Sequence, residues 1–78
     1  MSRVAVTVMP RQGVLDPQGQ AVHGALERLG FDGVSDVRVG KRIEIEIDGP
    51  DPVATAREMC DRLLANALIE DYAVEPIE

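Results

Sequence analysis

The stretch Gly13-Val14-Leu15-Asp16-Pro17-Gln18-Gly19 predicts the start of a helix. Asp16 can accept hydrogen bonds from the unpaired N–H groups of a first helical turn, and Pro17 fits the first helical position, where an N–H has no partner. Helix formation does not explain Gly19, because a glycine inside a helix costs about 1 kcal/mol relative to alanine. We therefore expect Gly19 to have a second role.

The residues on either side of this stretch predict a strand and the body of the helix. Apolar side chains alternate with polar or small ones from Arg3 to Val8, which is typical of a strand with one buried face, and Pro10 ends it. Apolar residues then recur at helical spacing, which predicts a first helix over about residues 17–29. Gly30 stands where a left-handed C-terminal cap is expected.

The segment 37–47 keeps one apolar face, because its apolar residues all have odd numbers. A two-residue hairpin at Gly40-Lys41 would put the apolar residues of its two arms on opposite faces. One long strand bent at Gly40, or a hairpin with a three-residue loop and a bulge at Gly40, keeps the face continuous. We expect the long bent strand.

A second helix is predicted after the turn at 48–50, with Asp51 as its N-cap and Pro52 in its first turn. Asn66 is the expected C-terminal cap. The apolar face of this helix is expected to contain Val53, Ala56, Cys60, Leu63 and Ala67.

The last segment, 69–77, has β character in Tyr72 and Val74, and Pro76 confines it to a sheet edge. The predicted order is therefore β-α-β-α-β, in a single small domain of residues 1–78. Strands this short favour an antiparallel or mixed sheet with both helices on one face, which is an α+β fold.

The composition indicates a small core. The chain has 78 residues with one Phe, one Tyr, no Trp and one Cys. A chain of this size buries only about 60–65% of its unfolded surface. One cysteine cannot form an internal disulfide, and with a single histidine it cannot form a common structural zinc site. Association is the remaining way to stabilise so small a domain, so we expect an oligomer.

The charge balance argues against nucleic acid as a partner. Acidic residues outnumber basic ones by 14 to 8, which gives a net charge of −6, whereas a nucleic-acid-binding protein needs a basic surface. No apolar run is long enough to span a membrane, so no membrane association is expected. A single unpaired cysteine is typical of a reducing compartment, and we expect a cytoplasmic protein.

The residues with catalytic chemistry do not form a recognisable set. His23 is the only histidine, and no oriented partner can be named for it, so a structural role is favoured. Cys60 falls on the apolar face of the second helix, which is typical of a buried, unreactive thiol. Gly40-Lys41 lacks the earlier glycine and the following Ser or Thr of a phosphate-binding loop.

Four segments together resemble the PurS family, the small subunits of phosphoribosylformylglycinamidine synthase. The family pattern has a strand and a basic residue before Val-Leu-Asp-Pro-Gln-Gly, here residues 14–19. The other three segments are Val37-Arg38-Val39-Gly40-Lys41, Leu63-Leu64-Ala65-Asn66 and Ile69-Glu70-Asp71-Tyr72. All four occur in the family's order and spacing, so the resemblance covers nearly the whole chain.

The resemblance implies a non-catalytic subunit of an ATP-dependent carbon–nitrogen ligase in de novo purine biosynthesis. In that complex a glutaminase subunit, PurQ, releases ammonia from glutamine. A synthetase subunit, PurL, uses the ammonia with ATP and Mg to convert formylglycinamide ribonucleotide to formylglycinamidine ribonucleotide. The small subunit bridges the two and assists ammonia transfer, binds no cofactor itself and forms dimers or tetramers.

The alternative function is a small dimeric ligand-sensing module of the amino-acid-binding α+β type. Such a domain would use a glycine-rich loop after the first strand, and Gly13 could serve there. The motifs at 16–19 and 69–72 favour the ligase subunit.

The candidate partner or oligomer contacts come from the segments that carry the resemblance and from the basic residue before the first of them. No catalytic, cofactor-binding or metal-binding residue is predicted. The basic residues in the middle segment fit either cross-strand pairs with glutamates or a partner-facing patch. The candidates are Arg11, Leu15, Asp16, Pro17, Gln18, Gly19, Arg38, Gly40, Lys41, Asn66, Ile69, Glu70, Asp71 and Tyr72.

Overall fold

Three strands form one antiparallel sheet in the computed structural model, which describes residues 2–77. The central strand is β1 (Ser2–Pro10), with β2 (Lys41–Ile47) on one side and β3 (Glu70–Pro76) on the other. Both neighbours run antiparallel to β1. The predicted α+β class, the β-α-β-α-β order and the edge position of the Pro76 strand are confirmed.

The core lies on one face of the sheet. Val4, Val6 and Val8 are the alternate residues of β1 that face it, and each is at most 1% exposed. The helix α2 (Pro52–Met59) packs on this face through Ala56, which is fully buried. The period-2 pattern of β1 therefore identified the buried face correctly.

The predicted apolar face of the second helix is wrong after Cys60. A π-helical segment, Cys60–Leu64, continues α2, and the N–H of Ala65 bonds the carbonyl of Cys60 at 3.1 Å. This wider turn rotates the following side chains, so that Leu64 and Ala65 pack against the core while Leu63 is 83% exposed. The helix is capped at Ala65, so the prediction of Asn66 as the cap is also wrong.

The first helix, α1 (Pro17–Arg28), has the predicted N-cap at Asp16 and the predicted left-handed glycine, Gly30, after its end. It lies away from the sheet and packs against residues 34–39 instead; the ring Nε2 of His23 donates to the carbonyl of Val34 at 2.9 Å. The structure thus differs from the prediction of two helices on one face. Within residues 2–77, α2 is the helix that has extensive contacts with the sheet.

The middle strand is shorter than predicted, because residues 37–40 lie outside it and neither hairpin forms. The β1–β2 register pairs Val8 with Lys41, so continuing it by two residues would place Val39 opposite Pro10, which has no N–H to offer. The N–H of Val39 bonds the carboxylate of Asp16 instead. The backbone leaves the sheet at Gly40 for this reason.

The chain is elongated, because α1 and residues 30–40 extend beyond the sheet. Its Cα radius of gyration is 15.7 Å, and its extents are 49 × 26 × 14 Å. A compact chain of this length has a radius of gyration of about 11.5 Å. One chain therefore leaves apolar surface exposed that a compact fold would bury.

Candidate functional site

Asp16 joins two backbone segments. Its Oδ1 accepts the N–H of Gly19 at 3.0 Å, which caps α1, and its Oδ2 accepts the N–H of Val39 at 2.9 Å. These bonds, first to Val39 and then to Gly19, hold the pKa of the Asp16 carboxyl below its usual value, and the Arg38 guanidinium adds to the effect. We call this arrangement of Asp16, Gly19 and Val39 the Asp16 clamp.

The clamp explains why position 19 is glycine. A Cβ at Gly19 would collide with the Asp16 carboxylate and with the carbonyl of Val37. Gly19 is buried although it lies in the first turn of a helix. The second role expected for this glycine is therefore the close approach of the segment before β2.

Two further contacts hold the same segment against β1. The guanidinium of Arg38 donates to the carbonyl of Pro10. At Gly40, a side chain would collide with the carbonyl of Val8 and with Met9. The backbone of residues 38–40 therefore lies directly against the end of β1.

Arg11, in the loop that follows β1, contacts residues just before β3 and at its start, between positions 67 and 71. Its backbone N–H bonds the carbonyl of Ile69 at 2.8 Å, and its Nε donates to the carbonyl of Ala67 at 3.1 Å. Its Nη1 lies 3.2 Å from the carboxylate of Asp71. One residue thus connects the start of the loop with residues 67–71.

Asn66 and Glu70 shape the turn before β3. The side-chain oxygen of Asn66 accepts the N–H of Leu68 at 3.1 Å, and the carboxylate of Glu70 accepts the N–H of Asn66 at 2.7 Å. The two residues stabilise the turn from both ends. Asn66 is therefore a turn residue.

Tyr72 is bound to the segment that follows α2. Its hydroxyl donates to the carboxylate of Asp61 at 3.0 Å, and this bond is the main cause that raises the pKa of Tyr72. Burial, followed by the nearby charge of Asp61, raises the pKa of the Cys60 thiol. A raised pKa keeps this thiol protonated, so Cys60 is a core residue with little nucleophilic character.

The structure brings most candidate residues together on one surface, at the end of the sheet where β1 ends and β2 begins. One groove, of about 330 Å³, is lined by Leu15, Asp16, Pro17, Gln18, Gly40, Lys41, Ile69 and Glu70. Adjoining hollows are lined by Arg11 and Arg38 on one side and by Arg11, Asp71 and Tyr72 on the other. We call these residues, together with the buried Gly19, the loop surface. Asn66 stabilises the turn that leads into β3 and so contributes to this surface indirectly.

Several side chains of the loop surface remain available for a partner. Leu15 is 69% exposed and Ile69 is 45% exposed. The ammonium group of Lys41 and the side-chain amide of Gln18 are exposed and have no hydrogen bond or ion pair within residues 2–77. The acidic groups are occupied, Asp16 by two amides and Asp71 by Arg11.

The basic residues of the middle segment were expected either to pair with glutamates across the sheet or to face a partner. Each interpretation holds for some of these residues. Arg42 pairs with Glu75 of β3 at 3.8 Å, as the cross-strand interpretation requires, and also with Glu44 of its own strand at 3.1 Å. Arg38 and Lys41 take no part in these pairs and face the loop surface. Arg42 is therefore a residue of the charged sheet face.

Sequence reasoning missed the groups that the polar side chains bind. Asp16 bonds the backbone of Val39, Arg11 bonds that of Ala67 and Arg38 bonds that of Pro10. A backbone amide or carbonyl is present at every position and leaves no signal in the residue type. The glycines at 19 and 40 were the available signal, since each marks a close approach of two backbones.

No group of three or more His, Cys, Asp or Glu side chains within residues 2–77 lies close enough together to hold a metal ion. Neither helix in this range has the length and apolar character needed to cross a bilayer.

The fold and the loop surface define a class of small, elongated α+β domains in which polar side chains tie backbone segments together. The sequence profile of the PurS family, described as phosphoribosylformylglycinamidine (FGAM) synthase, matches residues 3–78. The chain belongs to the PurS family.

Individual relatives agree with this assignment. The PurS subunit of Mycobacterium leprae is 51% identical over 74 residues, which cover 95% of this chain and 94% of the relative. The structure of Bacillus subtilis PurS matches with a TM-score of 0.90 at 45% identity, covering 100% of both chains. A chain in the PurLQS structure of Thermotoga maritima matches with a TM-score of 0.86 at 26% identity, covering 97% of this chain and 96% of that one.

Proposed function

We propose that this chain is a non-catalytic subunit of FGAM synthase that bridges a glutaminase subunit, PurQ, and a synthetase subunit, PurL. In this role it assists the transfer of ammonia for the ATP- and glutamine-dependent formation of formylglycinamidine ribonucleotide. The observation that carries the proposal is the match over nearly the full chain to a chain of the PurLQS structure. The proposed setting is the cytoplasm, with ATP and Mg used by the synthetase subunit.

The side chains that could act in catalysis support a non-catalytic role, because the structure uses them otherwise. His23 donates to the backbone at Val34. Cys60 is fully buried, and its thiol has a raised pKa. A group that supports the fold in this way is poorly placed to accept a proton from, or attack, a substrate.

The loop surface is the proposed contact for the partner subunits. It combines exposed apolar side chains, Leu15 and Ile69, with polar groups that have no partner in the chain, Gln18 and Lys41. Apolar contacts surrounded by polar groups are what protein interfaces require. The clamp and Arg11 hold the surface in one conformation, which reduces the entropy lost on binding.

The test compares two nitrogen sources in the complex rebuilt from the cognate PurL, PurQ and this chain. We expect omission of this chain to lower the glutamine-dependent rate strongly and to lower the rate with ammonium salt much less. Full glutamine-dependent activity without the chain would contradict the proposal. An equal loss with both nitrogen sources would contradict the bridging role and indicate that the chain activates the synthetase itself.

A matched pair of variants tests the surface. Lys41→Glu and Arg57→Glu make the same change of charge at exposed positions, but only Lys41 lies on the loop surface. We expect Lys41→Glu to weaken assembly with PurL and PurQ, measured by sedimentation, and Arg57→Glu to leave it unchanged. Equal behaviour of the two variants would show that the loop surface is not the contact.

The chain is also proposed to associate with itself. The small core expected from the sequence and the elongated shape of the folded chain both support this. Sedimentation of the purified chain at micromolar concentration should give a species larger than 8.5 kDa. A stable folded monomer would contradict self-association.

A further inference from the structure

Two aspartates of this chain are followed directly by glycine, and the fold holds the two pairs differently. The pairs are Asp32-Gly33 and Asp48-Gly49, and both are exposed. An aspartate before glycine can react with its own backbone, because glycine has no Cβ to hinder the approach of its nitrogen to the aspartate carboxyl. In a folded chain the reaction depends on how firmly the two reacting groups are held.

The reaction is an isomerisation that consumes nothing but water. The backbone nitrogen of the glycine attacks Cγ of the protonated aspartate carboxyl. An N–Cγ bond forms, the Cγ–OH bond breaks, and the hydroxyl leaves as water together with the N–H proton. Water then opens the five-membered imide at either carbonyl, and opening at the α-carbonyl leaves an isoaspartate. Nothing is oxidised or reduced, and the mass of the product equals that of the starting chain.

Asp32 and Gly33 are unrestrained by bonds in the folded chain. They form a turn between α1 and the segment 34–39. The carboxylate of Asp32 has no hydrogen bond or ion pair within residues 2–77, and the N–H of Gly33 has no acceptor in that range. A Cβ on Gly33 would meet no heavy atom within 4 Å. The two groups can therefore approach each other without breaking a bond or displacing a neighbour.

The two ends of this turn are held, which keeps its centre in solvent. The N–H of Phe31 bonds the carbonyl of Leu26 at 3.0 Å, and the carbonyl of Val34 accepts the ring Nε2 of His23 at 2.9 Å. The reacting pair lies between these two anchors and is exposed on both residues. Water therefore reaches the pair at all times.

Asp48-Gly49 has the same chemistry in a more restrained position. Asp48 takes part in a polar interaction of the folded chain, which has to break before its carboxyl is attacked. Gly49 has a φ of 139°, a conformation that residues with a side chain rarely adopt. Pro50 follows it, and its ring fixes the next φ. This second pair is thus a matched comparison within one chain.

We propose that Asp32-Gly33 is a site of spontaneous isoaspartate formation in this protein, and that the fold protects Asp48-Gly49 from the same reaction. The modification needs no enzyme and no cofactor. It is independent of the subunit role proposed above, because neither pair lies on the loop surface.

The first experiment incubates the purified full chain at neutral pH and follows both positions by peptide mapping. Electron-transfer fragmentation distinguishes isoaspartate from aspartate in the peptides. We expect isoaspartate to accumulate several-fold faster at 32 than at 48 in the folded chain, and the two rates to approach each other in urea. Absence of isoaspartate at 32 would overturn the proposal, and so would the same ratio of rates in both solvents.

Two conservative variants test which groups react. Asp32→Glu keeps the charge but has to close a larger, six-membered imide. Gly33→Ala places a methyl group beside the attacking nitrogen, in space that the fold leaves open. Both positions are exposed, so we expect native circular dichroism spectra. We expect each variant to suppress isomerisation at 32 and to leave the rate at 48 unchanged; an undiminished rate at 32 in Gly33→Ala would overturn the attack by the Gly33 nitrogen.

The product changes the chain at a place that supports α1. Isoaspartate at 32 inserts the Cβ of that residue into the backbone, between the end of α1 and the Val34 carbonyl that His23 binds. A 78-residue chain is accessible to chemical synthesis with isoaspartate at this position. We expect the amides of α1 to exchange hydrogen faster in that product than in the unmodified synthetic chain, and those of β1 to exchange at the same rate. Equal exchange of α1 in the two chains would overturn this effect of the modification.

Discussion

At the scale of single residues, Asp16 and the two glycines at 19 and 40 determine how the chain leaves and enters the sheet. Each oxygen of the Asp16 carboxylate has its own backbone donor. The carboxylate of Asp51, which caps α2, accepts the N–H of Ala54 at 3.1 Å and no second backbone N–H within residues 2–77. A carboxylate is therefore required at 16, whereas an asparagine would satisfy position 51.

The first prediction concerns acid stability and Asp16→Asn. The pKa of Asp16 is lowered in the folded chain from an ordinary value of 3.8, so its contribution is complete above that value. The contribution is lost as the pH falls from there towards the folded pKa. An asparagine offers one acceptor and does not titrate, so we expect a lower melting temperature at neutral pH and a smaller decline between about pH 5 and 3.

Thermal melts followed by circular dichroism across this pH range measure both effects. Asp51→Asn serves as the control at neutral pH, where we expect little change in melting temperature. Identical acid dependence of the wild type and Asp16→Asn would contradict the clamp.

At the scale of elements, the start of β2 and the position of α1 depend on the same few contacts. β2 begins at Lys41 because Pro10 has no N–H opposite Val39 and because Asp16 takes the N–H of Val39. The same bond sets α1 beside residues 34–39. One side chain thus decides where a strand begins and where a helix lies.

The second prediction compares Gly40→Ala with Gly33→Ala. A Cβ at 40 would collide with the backbone of Val8 and with Met9, whereas a Cβ at 33 has open space around it. We expect Gly40→Ala to lower the free energy of unfolding by about 1–3 kcal/mol, as forced overpacking does, and Gly33→Ala to change it little.

Urea denaturation of both variants measures the difference. Equal stability of the two variants would mean that the close approach at Gly40 does not restrain the chain. The comparison also removes the general effect of replacing glycine, since both positions lie in the same irregular segment.

At the scale of the whole molecule, the chain is elongated and its core is small. The radius of gyration of 15.7 Å exceeds that of a compact chain by about 4 Å. The fully buried side chains larger than alanine are Val4, Val6, Val8 and Cys60. A core this small gives limited stability to an isolated chain.

The third prediction is that the melting temperature rises with protein concentration. When unfolding is coupled to dissociation, mass action favours the folded oligomer at higher concentration. Scanning calorimetry of the purified chain over a hundredfold range of concentration measures the effect. We expect a clear rise, and a constant melting temperature would contradict the prediction.

The parts of the fold that the sequence revealed are those set by local patterns. Alternation identified the buried face of β1, Asp-Pro pairs identified the start of both helices, and Gly30 identified the end of α1. The placement of α1 and the early end of the β2 pairing depend on Asp16 reaching Val39, 23 positions along the chain. Leu63 faces solvent because the helix widens into a π-helical segment, and the spacing of apolar residues in the sequence does not indicate this segment.

The family motifs identified the loop surface, although they did not show how it is held. They placed Leu15, Gln18, Lys41 and Ile69 among the candidates, and the structure brings these four to one groove. The side chains that hold the groove in shape bind backbone amides and carbonyls, and no pattern of residue types indicates which ones.

The order of the strands has a consequence for handling the protein. With β1 in the middle, each of the outer strands, β2 and β3, presents a row of backbone donors and acceptors to solvent along its outer side. Such rows are templates for fibre growth. Here β2 alternates its isoleucines with Arg42, Glu44 and Glu46, and β3 ends at Pro76, which interrupts pairing. Salt screens charges over about 10 Å at 0.1 M, so concentrated stocks are best kept at low ionic strength, where the net charge of −6 on each chain repels further copies.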